Sequence, residues 1–313
     1  MISVGTGTAQ CIRSRAGNRW PGAGPPLQAP RPGRHPGRAG TRHPSGPPGP
    51  GQLPGTGAGN SPPANEATLT AMVGDSLWEQ HAAWWQEAFT DGADPEYEEQ
   101  ILPLIERFLH GARRVLDVGC GEGQVSRRIA ALGAEVIGLD PTTAQLRVAH
   151  ERGGPARYLS ARSEEIPCRG ASFDAVVLCL ALEHVDPFEP AIGEVARVLA
   201  PGGLFLLLLA HPLLQSPGSG WVDDLNSDDT FWRVGPYLRD EVAIDEIGPG
   251  VRLQFAHRPL SRYVHAMGRA GLLIEDMVEP PPPQAVLVET GDFPDASAIP
   301  RLMLLCARRR SSC

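Results

Sequence analysis

The 313-residue chain contains no lysine; all 28 of its basic residues are arginine. That excludes the phosphate-cradling P-loop, whose G-x-x-x-x-G-K-S/T motif requires the lysine ammonium. Its six cysteines, at positions 11, 120, 168, 179, 306 and 313, show no C-x-x-C pair and no metal-ligand spacing. They read as small core or loop residues in a reducing compartment, with no metal site. Long hydrophobic runs are missing too. The longest, Leu204–Ala210, is far too short to span a bilayer. A cytoplasmic protein is the expectation.

The first 65 residues lack acids altogether and hold almost no aromatics. Of these residues, 14 are glycine and 13 proline, with seven arginines scattered among them. This exceeds the ~25–30% Gly-plus-Pro content that marks low-complexity sequence. Too little apolar surface is present to offset the entropy of ordering. No apolar core follows the early arginines, so a secretory signal is excluded, and the prolines would break an amphipathic transit helix. Residues 1–71 are therefore expected to be a disordered segment, or upstream sequence preceding a true start at Met72. Once the seven arginines are set aside, residues 66–313 carry 21 arginines against 36 acids, a formal charge of −15. Such a surface argues against a nucleic-acid partner, because phosphate neutralisation requires basic residues.

The informative stretch is Arg113–Gly123, RRVLDVGCGEG. An apolar run (Val115, Leu116, Val118) leads into Gly119, Gly121 and Gly123, and a helix-compatible segment follows at once. This pattern reads as a buried strand, a tight turn and a helix N-terminus. Glycines there accept positive φ and leave no side chain between backbone and ligand. The dinucleotide fingerprint G-x-G-x-x-G would place glycine at 124, where this chain has Gln124. A second apolar run, Ala134–Leu139, ends in Asp140. An acid at the tip of the second strand is placed to accept hydrogen bonds from a ribose diol.

Together these features resemble the class I S-adenosylmethionine-dependent methyltransferases, particularly the ubiquinone/menaquinone-methyltransferase-like (type 11) group. The likeness is good over about Val115–Gly203 and loose elsewhere. It implies S-adenosyl-L-methionine as cofactor, with Asp117 and the loop Gly119, Cys120, Gly121 and Gly123 facing its methionine part. Asp140, followed by Pro141, would hold the ribose. Downstream, Ile166-Pro167 and Ser172-Phe173-Asp174 match the family pattern, as does the Pro201-Gly202-Gly203 turn. One departure stands out. The acid that usually meets the adenine amino group is replaced by Arg162, and a guanidinium only donates hydrogen bonds. Adenine would then be held at Ser163 and Glu164, or by stacking under Arg162.

The apolar run Phe173–Leu180 reads as a central parallel strand buried on both faces. In the resembling family the loop after it faces the transferred methyl group, which brings Leu180 to the cofactor and makes His184 the first candidate catalytic group. Upstream, helices at Leu77–Phe89 and Glu96–Leu109 are expected, with Trp84, Trp85 and Phe89 as core or pocket residues and Pro103 at a break. His211–His257 reads as a long substrate-side insertion. Trp221, Phe231, Trp232 and Tyr237 would supply apolar walls, with Asp223, Asp224, Asp228 and Asp229 as a solvated rim. His257 is a second candidate catalytic residue; His211 and Tyr237 are further candidate bases.

Seven strands are predicted, at 113–118, 134–139, 157–161, 173–180, 204–209, 272–278 and 302–307. The expected fold is an α/β, Rossmann-like, seven-stranded and mostly parallel sheet with an antiparallel edge hairpin and helices on both faces. It would occupy residues 72–313, as a monomer or homodimer. The implied function is methyl transfer to an O, N or C atom of a small molecule. The alternative is a non-catalytic protein of the same fold that binds cofactor or a partner.

Overall fold

In a computed structural model, the structure describes residues 64–223, 230–290 and 296–311, so residues 1–63 and the predicted rim residues Asp224, Asp228 and Asp229 lie outside it. Seven strands form the main sheet: β1 (Arg114–Val118), β2 (Glu135–Asp140), β3 (Arg157–Ser160), β4 (Phe173–Cys179), β5 (Leu199–Ala210), β10 (Leu272–Val278) and β11 (Leu302–Arg309). Their spatial order is β10-β11-β5-β4-β1-β2-β3. Strands β1 to β5 run parallel, while β11 is antiparallel to both neighbours, β5 and β10. The expected edge hairpin is present, with its second strand inserted next to β5.

The connecting helices are α3 (Gln124–Ala131), α4 (Thr143–Arg152), α5 (Glu189–Val198) and α7 (Leu260–Arg269). Alternation along the central strands explains the two-sided burial. Leu116, Val176 and Leu178 pack with Phe188, Ile192 and Tyr263 on one face. Val115, Ala175 and Val177 pack with Ile105, Leu109 and Ile129 on the other. The predicted Pro-Gly-Gly turn lies inside β5, where pairing with β4 shifts register between Phe173 and Ala175. Gly202 there has φ +75°, and a Cβ on Gly203 would meet the Ala200 carbonyl at 2.8 Å.

Two helices precede the sheet. The first, α1, runs from Ala64 to Phe89, beginning well before the predicted Leu77. The second changes character, with a π-helical turn at Tyr97–Ile101 leading into α2 (Leu102–Leu109). Pro103 sits at the start of α2, where its missing N–H costs little.

The insertion is built mainly of strands. After a short helix α6 (Pro212–Gln215), it folds into two antiparallel hairpins. Strand β6 (Gly220–Asp223) pairs with β7 (Thr230–Arg233), and β8 (Glu241–Gly248) pairs with β9 (Val251–His257). No helix among the described residues is long and apolar enough to cross a membrane.

Candidate functional site

The strand order reverses between β1 and β4, and ligands of open α/β sheets bind in the crevice at the C-terminal strand ends beside such a switch point. A cavity lies there, with about 1040 Å³ of empty space including its open mouth. Its floor is the glycine loop and the ends of β1, β2 and β4. Its cover is α1, which contributes Asp75, Trp78 and Trp85.

The loop is fastened from below by two backbone bonds to the same carbonyl, Gly119 N to Leu139 O at 2.7 Å and Cys120 N to Leu139 O at 2.9 Å. Gly119, Gly121 and Gly123 all have positive φ, at +74°, +54° and +84°. A Cβ on Gly119 would overlap that of Ala181, whereas one on Gly121 would meet nothing within 4 Å. Glycine is thus forced at 119 by the approach of the β4 loop, and at 121 by backbone conformation alone.

Between them, Glu122 is 2% exposed and ion-paired to Arg127 (2.7 Å) and Arg152. Arg152 also donates to Thr90 Oγ1 at 2.9 Å and pairs with Asp91 at 2.9 Å. Gln124, the residue that breaks the dinucleotide fingerprint, accepts from Asp91 N at 3.0 Å. The loop is therefore tied to the end of α1. Sequence reasoning missed Glu122; an acid flanked by loop glycines with Arg127 five residues on was the available signal.

Asp117, the penultimate residue of β1, is 1% exposed. Its Oδ2 accepts from Ser126 Oγ at 2.6 Å. Burial pushes its pKa up to about 7, opposed by the Ser126 hydrogen bond and reinforced by the nearby Asp140 and Glu122 carboxylates. Asp140 takes backbone N–H groups on both oxygens, Gly121 at 2.9 Å and Thr142 at 2.8 Å. Burial raises its pKa as well, against those two bonds. A cavity this acidic favours a ligand bearing positive charge and donor hydroxyls, and disfavours a pyrophosphate.

Of the remaining sequence-derived candidates, Pro141, Ser163, Glu164, Leu180 and His184 line the same cavity. Gly123 instead serves as the left-handed N-cap of α3, where a Cβ would overlap the Tyr158 hydroxyl. Leu180 carries φ +50°, a strained backbone for a leucine. Trp85 reaches the cavity; Phe89 stacks on it at 4.2 Å from the core side. Trp84 packs edge-on against Phe89 at 5.4 Å.

His184 sits in a 3₁₀ turn, Leu182–His184, between Trp78 (4.8 Å) and Phe255 (4.7 Å), both edge-on. Its Nδ1 is 2.7 Å from the Gln254 carbonyl. A carbonyl only accepts, so Nδ1 carries the hydrogen and Nε2 holds the lone pair of the neutral ring. Arg258, 3% exposed, fixes the same loop. It donates to Leu182 O (3.3 Å), Val185 O (2.6 Å) and Asp186 (2.8 Å), with its guanidinium 4.6 Å from the Phe188 ring centre.

The other candidate bases lie elsewhere. His257 is buried and donates from Nε2 to the Tyr237 carbonyl at 2.8 Å; burial lowers its pKa. The Tyr237 hydroxyl accepts from Leu260 N at 2.9 Å. His211 caps α6 through Nδ1 and donates from Nε2 to Glu279 at 2.8 Å. None of the three is among the described residues lining the cavity. The same holds for Trp221 and Trp232, which pack on each other across the β6–β7 hairpin at 5.5 Å, and for Phe231, 49% exposed. The expected aromatic walls are supplied by Trp78 and Trp85 instead.

Residues 116–207 match the model of a methyltransferase domain. An uncharacterized methyltransferase of Mycobacterium tuberculosis is 36% identical over 152 residues, 49% of this chain and 58% of that protein. The malonyl-(acyl-carrier protein) O-methyltransferase of Enterobacter lignolyticus is 35% identical over 149 residues, 47% of this chain and 57% of its own length. The chain thus spans little more than half of these curated relatives. Among solved structures, an S-adenosylmethionine-dependent methyltransferase from Mesorhizobium loti superposes with a TM-score of 0.57 at 27% identity, covering 66% of this chain and 96% of that one.

Proposed function

We propose, for a chain whose residues 116–207 belong to a methyltransferase-domain family, that it moves the methyl group of S-adenosylmethionine to an oxygen, nitrogen or carbon atom of a small molecule. The observation that carries this reading is the acidic cavity at the switch point, where the glycine loop, Asp117, Asp140 and His184 converge. The cofactor's net positive charge suits that lining. When bound, it supplies an electrophilic methyl group on a sulfonium sulfur.

The residues then divide the work. Asp117 takes the ammonium of the methionine part. Asp140, already held by Gly121 and Thr142, accepts from the ribose hydroxyls. Trp78 and Trp85 cover the site and keep water out. Positioning of this kind contributes roughly 7–11 kcal/mol. His184, its Nδ1 hydrogen committed to Gln254, takes the acceptor's proton on Nε2. Residues 72–313 form the catalytic unit in this reading, with 211–257 as its acceptor-side insertion and 1–71 outside it.

The experiment is calorimetric titration of the purified full chain with S-adenosylmethionine, S-adenosylhomocysteine and NAD⁺. Micromolar binding of the first two and none of the third is expected. Binding of NAD⁺ alone, or of no ligand by folded protein, overturns the reading.

A further inference from the structure

The cavity extends from Asp117, past Asp140, to Ala161–Glu164 beyond the end of β3. With a ribose at Asp140, the attached base lies towards that far end. Three charged side chains meet there: Asp75 from α1, Arg162 and Glu164, and all three line the cavity. Arg162 pairs with both acids, with Asp75 through Oδ2 and with Glu164 Oε1 at 2.8 Å. The other oxygen of Glu164 accepts from Ser163 Oγ at 2.7 Å. Both oxygens of Glu164 are therefore committed within the cluster. Asp75 Oδ1 is the carboxylate oxygen of the group that these bonds leave aside.

The guanidinium of Arg162 has nothing with which to accept a hydrogen bond. Its bond to Asp75 brings a carboxylate to the place that Arg162 cannot serve. We propose that Asp75, carried by the covering helix, accepts the hydrogen bond from the exocyclic amino group of the cofactor's adenine, with Arg162 holding the carboxylate in place. The inference rests on the methyltransferase reading and assigns its base-specificity residue. The carboxylate discriminates by repulsion as well as attraction. A purine with a carbonyl oxygen at the same position offers no donor at that atom, where its oxygen and the carboxylate become two acceptors facing each other.

Recognition of the base then depends on α1 being docked. Besides Asp75, α1 is held by Glu79, which accepts from Ala144 N at 3.1 Å. Gln86 completes the attachment, donating to Gln145 Oε1 at 2.8 Å.

The test is calorimetric titration of the full chain with S-adenosylhomocysteine and with S-inosylhomocysteine, whose base carries oxygen in place of the amino group. The wild-type chain is expected to prefer the adenosyl ligand by at least about tenfold, as a hydrogen bond to a charged group predicts. Asp75→Ala should remove that preference. Adding Arg162→Asp to Asp75→Ala should bring it back, because the carboxylate is then supplied from the body of the protein; adding Arg162→Ala should not. Circular dichroism and thermal melts establish that each variant is folded. An Asp75→Ala variant that keeps the preference overturns the assignment. A variant that loses affinity for both ligands equally does so too, because Asp75 would then only latch the helix. Failure of the wild-type chain to bind either ligand instead brings down the underlying methyltransferase reading.

Discussion

If Asp117 takes the cofactor's ammonium as proposed, cofactor affinity should depend on pH. With a pKa of about 7 against an ordinary value near 3.9, the folded protein without ligand prefers the neutral acid. That difference corresponds to ~4 kcal/mol. A raised folded pKa means that this stability is fully present below about pH 4 and is lost as pH rises through about 7. A ligand ammonium reverses the preference, because it requires the carboxylate. At pH 6 roughly one molecule in eleven carries that carboxylate, against about three in four at pH 7.5. The apparent affinity for S-adenosylmethionine should therefore rise roughly eightfold between these two values. Staying at or below pH 7.5 limits titration of the ligand's own amino group, whose ordinary pKa is about 7.7–8.0.

Calorimetry in two buffers of different ionisation enthalpy reads this twice: once in Kd, and once as about half a proton released per ligand bound at pH 7. Asp117→Asn should abolish both signals, lower the affinity, and raise the thermal stability of the free protein at pH 7.5. Glu183 is the necessary control, since burial also brings its pKa to about 7. It does not line the cavity, so Glu183→Gln should keep the slope. An affinity that is flat from pH 6 to 7.5, with no proton released, refutes the role given to Asp117.

Three further outcomes are expected. Asp140→Ala should weaken S-adenosylmethionine binding by about 10–100-fold, the net loss of about one hydrogen bond to a charged group at ~1.5–3 kcal/mol; unchanged affinity would remove the ribose assignment. Gly119→Ala combines a clash with Ala181 and a φ of +74°, and should unfold more easily by several kcal/mol in denaturant titration. Pairing it with Ala181→Gly should recover only part of the loss. Arg258→Met leaves the carbonyls of Leu182 and Val185 without their donor, at ~1–3 kcal/mol for each buried group. Denaturant titration of the variant reads that loss.

The fold was legible because its signals are local. Buried parallel strands read as near-continuous apolar runs, and Phe173–Cys179 is one, interrupted only by the exposed Asp174. The glycine loop announces itself by backbone demands that few other residues meet. Asp75 and Trp78 were not legible, because what brings them to the cavity is the placement of α1 across the sheet, which no periodicity encodes. Glu122 reads as a surface acid until Arg127 and Arg152 converge on it from two different helices. The β8–β9 hairpin carries Val242 and Ile244 at period two, but both are exposed, at 43% and 40%, so the alternation lacks the buried face that makes a strand recognisable. His257 and Tyr237 looked chemical by residue type. In the fold His257 Nε2 donates to the Tyr237 carbonyl and the Tyr237 hydroxyl accepts from Leu260 N, away from the cavity.

The last few residues of the insertion have a consequence for how such a protein diversifies. His184 sits in the turn just past β4, but its hydrogen-bond acceptor is Gln254 and its loop is gripped by Arg258. The β6–β7 hairpin, by contrast, adds nothing to the described lining of the cavity. Tip and root are thus separable. Recombination could replace the hairpin tips and recruit new acceptors while leaving the proton-accepting geometry untouched, so long as each exchange spared the stretch from Gln254 to Arg258. An exchange that cut into this stretch would import a new binding surface and unsettle His184 at the same stroke.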